Sequence, residues 1–212
     1  MGAALSPTAR PGLAYRHAFD WVAVQLQATS GSVACLASRP LAVTELLRRV
    51  ADVAILDTPE GVPGIAAALG LPWTPPGQPK DGSLAALAWV EPTAQDFVRL
   101  AEARRWLAPG GRLFLVVGGA LAGYLAERKA GPSLDYLDER TVLRGLARQG
   151  FRITERLGLH GVRAVAWHLL GLIAGWLGRP AWQDRCHFAM RRDFVASRGP
   201  AALVCLTAEM VA

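Results

Sequence analysis

Apolar and polar positions along the chain alternate between two periods, one helical and one extended. From Leu13 to Ala28, Phe19, Val22, Ala23 and Leu26 share one helical face while Arg16, Asp20 and Gln27 lie elsewhere. Thr29-Ser30-Gly31 ends that helix, and Ser32 to Leu36 is short, apolar and strand-like. A second helix is predicted over Leu41 to Val50, with Leu46, Leu47 and Val50 inward and Glu45, Arg48 and Arg49 outward. Val53 to Asp57 is the next strand, and Thr58-Pro59-Glu60-Gly61 turns into a short helix from Val62 to Leu69. Gly70 to Gly82 contains Pro72, Pro75, Pro76 and Pro79, which marks a surface loop. Leu84 to Val90 reads as a strand. Thr93 is the predicted N-cap of a helix from Ala94 to Leu107, with Phe97, Leu100, Ala101 and Leu107 inward.

The centre of the pattern is Trp106 to Val117. Pro109-Gly110-Gly111 makes a turn there, one glycine taking the left-handed conformation, and Leu113 to Val117 leaves it as a fully apolar strand. Beyond it, Gly118 to Gly131 reads as partly helical. Ser133 or Asp138 starts a helix that Gln149-Gly150 stops after Arg148, and Phe151 to Leu157 forms a strand toward one edge. Val162 to Arg198 reads as two helices parted by Gly178-Arg179-Pro180, and Ala202 to Thr207 closes the chain as a strand. Strands and helices alternating over the whole length predict a mostly parallel α/β sheet flanked by helices, as one domain over 1–212 with a loose arm at 1–12.

Composition narrows this only in places. Hydrophobic residues make up 52% of the chain, enough to fill a core and to argue against disorder. The net charge of +6 comes with no Lys/Arg block or aromatic-basic motif, which disfavours nucleic acid as a partner. Cys35, Cys186 and Cys205 are widely spaced and form no CxxC pair. They predict neither a disulfide framework nor a zinc site, and a cytoplasmic setting follows as the expectation. The N-terminal residues do not read as a signal peptide, and no segment reads as a transmembrane span.

Three passages resemble the class I S-adenosylmethionine-dependent methyltransferases of the small type 11 group. Arg104 to Leu113 is similar to that family's Arg-Arg-x-Leu-x-Pro-Gly-Gly-x-Leu passage into its fifth strand. Leu71-Pro72-Trp73 followed by Asp81-Gly82-Ser83-Leu84 resembles the passage into the fourth, and Val53 to Asp57 with Pro59-Glu60 resembles the second strand and its terminal acid. The resemblance implies a Rossmann-like class I methyltransferase fold with S-adenosylmethionine as cofactor. It places Asp57 at the ribose diol, Ala37 and Ser38 in the loop beside the methionine portion, and Glu91 at the amino acid end.

Each residue also has a plainer reading. Asp57 suits a turn or cap beside Thr58-Pro59; Glu91 suits a solvated position before Pro92; Arg39 suits a surface arginine as well as a partner for a carboxylate. His160 suits an ordinary loop histidine as well as a general base. The stretch Cys35 to Ala42, which corresponds to the family's glycine-rich loop, holds no glycine, and the family's third strand is missing or very short between Leu69 and Trp73.

The function implied is methyl transfer to a small, apolar acceptor. The alternative is a catalytically inactive binding or scaffolding subunit. Residues 161–198 are an insertion before the last strand, with a charge-free run from Ala164 to Gly178. They suit a lid over an apolar acceptor, a contact with a protein partner or a second copy, an acidic membrane surface, or a hairpin that completes the core.

Overall fold

The computed structural model of the chain describes residues 12–37, 39–50, 52–56, 62–71, 77–122, 137–196 and 198–211, the side chains of 65 and 96 excepted. Its strands are β1 (Val33–Ala37), β2 (Ala54–Ile55), β3 (Leu84–Val90), β4 (Leu107–Gly118), β5 (Phe151–Gly161), β6 (Val195–Ala196) and β7 (Ala201–Met210). The helices are α1 (Leu13–Gln27), α2 (Pro40–Leu47), α3 (Val62–Ala68), α4 (Ala94–Phe97), α5 (Leu100–Trp106), α6 (Glu139–Arg148), α7 (Val162–Trp176) and α8 (Pro180–Arg192).

The strands form one sheet in the order β2-β1-β3-β4-β7-β5-β6. The pairs β1–β2, β1–β3 and β3–β4 are parallel, whereas β7 runs antiparallel between β4 and β5. Alternation along β3 separates two cores. Ala86 and Ala88 face α1 and α2, where Phe19 and Leu46 are buried; Leu87 and Trp89 face α5 and α6 on the other side. Small residues on the first face leave room for a helix to lie close to the sheet.

The central turn becomes a bulge inside β4. Leu84 pairs with Leu107 and Ala86 with Arg112, so residues 108–111 loop out between two registered pairs. Gly110 takes φ +75°, as the turn demands, and a Cβ on Gly111 would stand 2.9 Å from the carbonyl oxygen of Ala108. Asp138, not Ser133, caps α6: its carboxylate accepts from the Thr141 N–H at 2.7 Å. Residues 123–136, including Ser133, lie outside the described residues, as do residues 72–76 of the proline-rich loop, the turn 58–61 and residues 1–11 of the arm.

Other expectations change. The helix predicted from Ala94 divides at Val98–Arg99, and the restart at Leu100 buries Leu100, Ala103 and Trp106; Ala101 is exposed because the break rephases the inward face. Glu45, expected outward, is buried, because Arg48 and Arg49 one turn later fold back on its carboxylate, both at 2.5 Å. The second strand shrinks to Ala54–Ile55, and among the described residues no strand lies between it and β3.

Candidate functional site

The order β2-β1-β3-β4 reverses direction between β1 and β3. The crevice at the carboxyl ends of such a pair is the place where open α/β sheets receive ligands. Register fixes what stands there: Ala37 pairs with Val90, and Val90 with Val116. Arg39 then follows β1 on one side of the crevice, and Glu91 follows β3 on the other.

Glu91 is not solvated. It is 2% exposed, and its Oε1 accepts a hydrogen bond of 2.6 Å from the hydroxyl of Tyr15 on α1. Arg39 Nη1 stands 3.7 Å from Glu91 Oε2, an ion pair across the point where strand order reverses. Arg39 is therefore no simple surface arginine: it meets a carboxylate, that of Glu91. Glu91 also holds φ +49°, a left-handed conformation that costs a residue with a Cβ about 1 kcal/mol or more. The backbone is pinned there by the Glu91 N–H, which donates to the Val116 carbonyl at 2.8 Å. Strain, burial and an ion pair thus coincide on one acid at the sheet's ligand-receiving edge.

Ala37 is buried at the end of β1, 4% exposed. Ser38 and Asp57 lie outside the described residues. Leu56, immediately before Asp57, donates its N–H to the Cys35 carbonyl at 3.0 Å, which ties the end of β2 to β1. Sequence reasoning missed Tyr15, although its place four residues before Phe19 puts it on the buried face of α1.

A second group of rings lies farther along the same edge. Leu159 pairs with Leu203, which pairs with Gly118, so the end of β5 sits in line with that of β4. His160 there has φ +56° and donates its N–H to the Phe194 carbonyl at 2.7 Å. Its ring stacks on Phe194 at 5.3 Å and meets His168 edge-on at 6.0 Å, while His17 of α1 approaches Phe194 at 5.1 Å. Burial first, and the neighbouring His168 second, hold the His160 imidazole below its ordinary pKa.

The topology, with an antiparallel last strand set between two others, can now be compared with known proteins. The fold is that of the class I S-adenosylmethionine-dependent methyltransferases. A methyltransferase from Thermotoga maritima, described as possibly acting on histamine, aligns with TM-score 0.60 and 14% identity over 93% of this chain and 90% of its own. The cyclase SpnF aligns with TM-score 0.54 and 16% identity over 98% of this chain and 84% of its own. A geranyl diphosphate methyltransferase in complex with S-adenosylmethionine aligns with TM-score 0.53 and 17% identity over 92% and 85%. No family model matches the chain, and no curated protein matches it in sequence. One neighbour is a cyclase, so the fold alone does not name the reaction.

Proposed function

We propose that this chain binds S-adenosylmethionine at the β1–β3 crevice and transfers its methyl group to a small, apolar acceptor. One observation carries the reading: Arg39 and Glu91 form a matched cation and anion at the crevice. The amino acid end of the cofactor is itself a zwitterion. Its carboxylate suits the Arg39 guanidinium and its ammonium suits Glu91, so binding exchanges one ion pair for two. Tyr15 holds Glu91 in place. Ala37 and Ser38 are small enough to leave space beside the cofactor, and Asp57 at the end of the second strand suits the ribose diol. The cofactor supplies the activated methyl group. The protein's part is to align an acceptor with it and keep water away, which needs no strong catalytic side chain.

The second reading is a methyltransferase-fold subunit without a reaction. It is favoured by the glycine-free stretch Cys35 to Ala42, in which Pro40 offers no N–H to a ligand. In that reading the Arg39–Glu91 pair is a permanent plug. Three buried, unpaired cysteines suit a cytoplasmic setting for either.

Calorimetric titration with S-adenosylmethionine and S-adenosylhomocysteine separates the two. Micromolar binding that weakens at least about tenfold in Arg39→Ala, Glu91→Gln and Asp57→Ala is the expected result. No heat up to millimolar ligand would leave the non-catalytic subunit standing.

A further inference from the structure

The insertion is built inside out. On α7, the buried residues are mostly small: Ala164, Gly171 and Ala174 join Val165. A Cβ on Gly171 would meet His187 and Cys186 at 3.3–3.4 Å, and one on Gly175 would meet Gln183 at 2.9 Å, so the glycines are where α7 and α8 approach. The large residues turn outward. Leu169, Leu170, Leu172, Ile173 and Leu177 are exposed, and Trp176 is 86% exposed. A hairpin that merely completed the core would have the reverse arrangement.

The charge around this face is predominantly positive. Residues 161–198 contain six arginines against Asp184 and Asp193, more than half of the chain's net charge on fewer than a fifth of its residues. At the turn, Arg179 stands between Trp176 and Trp182 in sequence, and all three are exposed. On α8, Phe188 is 73% exposed, and one helical turn away on either side stand Arg185, Arg191 and Arg192 against the single acid Asp184. At the base of the hairpin, Arg163, Arg192 and Arg198 line an open recess of about 500 Å³; Asp193 is its one acid among the described residues and pairs with Arg192 at 3.0 Å.

We infer that this hairpin lies on an anionic lipid surface. Leucine, tryptophan and phenylalanine flanked by arginine are what an interfacial helix needs: rings at headgroup depth, an apolar face in the acyl boundary and guanidinium groups on lipid phosphates. No described helix is long and apolar enough to cross a bilayer, so the hairpin rests in the interface. A second copy is a poor occupant, because a two-fold contact would set this basic face against itself. The hairpin leaves the sheet at the carboxyl end of β5, the same edge as Ala37, Glu91 and Gly118. Docking there does not depend on whether the crevice binds a cofactor.

The test is co-sedimentation of the whole chain with vesicles of phosphatidylcholine and phosphatidylglycerol mixed two to one, against phosphatidylcholine alone. Mixed vesicles are expected to bind at least about tenfold more tightly, and less so as salt rises. Arg179→Gln and Arg185→Gln should each weaken binding about fivefold. The pair Trp176→Ser with Phe188→Ser should weaken it about tenfold or more without moving the thermal midpoint, because both rings stand in solvent. No binding to mixed vesicles, or binding indifferent to the serine pair, would overturn the inference. So would a dimer in sedimentation equilibrium that the serine pair dissolves, which would give the face to a second copy. Binding to soluble polyglutamate without binding to vesicles would give it to an acidic protein.

Discussion

The hydroxyl of Tyr15 donates to the carboxylate of Glu91 at 2.6 Å, joining α1 to the end of β3 across 76 residues of sequence. A buried carboxylate that loses a donor keeps its full desolvation cost, so the bond matters more through its removal than through its presence. Tyr15→Phe is expected to destabilise the protein by about 2 kcal/mol. Urea unfolding should show this as a lower midpoint with an unchanged slope, since neither state changes its exposed surface appreciably. An unchanged midpoint would mean that water replaces the hydroxyl at no cost.

Gly145 and Phe97 are coupled by space. A Cβ on Gly145, in the middle of α6, would stand 2.3 Å from Cε1 of the Phe97 ring. Alanine is favoured over glycine in a helix interior by about 1 kcal/mol, yet here the overlap outweighs that gain. Gly145→Ala is therefore expected to destabilise by about 1–3 kcal/mol. In a Phe97→Ala background the same change should stabilise by about 0.5–1 kcal/mol. A double-mutant cycle by chemical denaturation reads the reversal of sign directly.

Much of this architecture was legible from residue patterns, and the reasons are local. The Gly110-Gly111 pair announces a left-handed turn, which Gly110 takes, because few other residues tolerate it, and Leu84 to Val90 announces a covered strand by its unbroken apolar run. Ser133 and Asp138 both announce a helix start, and only the structure shows that the Asp138 carboxylate takes the Thr141 N–H. The site was less legible because its members meet only in three dimensions. Nothing near Glu91 in sequence shows that Tyr15 and Arg39 will surround it, so a solvated acid before Pro92 was the natural expectation. Glu45 misled for a related reason: an acid on a helix reads as outward unless its two arginines are seen to fold over it. The outward leucines of α7 were likewise hidden, because a helix without charge from Ala164 onward does not reveal which of its faces the fold will cover.

The cap of α6 gives a pH-dependent prediction. The N–H of Thr141 holds the Asp138 carboxyl below the usual carboxylate range. A carboxyl with a depressed folded-state pKa contributes stability that is present above its unfolded pKa and lost as pH falls through the folded one. Asp138→Ala should thus cost about 1 kcal/mol near neutrality. The gap between the two proteins should close on acidification below the carboxylate range, where Asp138 is protonated and caps poorly. Thermal midpoints of both proteins across that range decide it; a gap that persists in acid would show that the charge contributes little.

His160 gives the opposite edge of the stability profile. Its imidazole is half-buried against Phe194, its Nε2 has no hydrogen-bond partner among the described residues, and burial with His168 lowers its pKa. The unfolded chain therefore takes up a proton at a higher pH than the folded one. Stability contributed by the neutral ring is complete above the ordinary histidine pKa of about 6.5 and is lost as pH falls below it. Asparagine tolerates a left-handed backbone such as the φ +56° found here and does not titrate. His160→Asn should accordingly flatten the loss of stability between about pH 6.5 and pH 5. His168→Asn should flatten it in part, by removing the neighbouring charge that opposes protonation of His160. Denaturation free energies measured at several pH values test both variants, and slopes equal to that of the unaltered protein would place the acid sensitivity elsewhere.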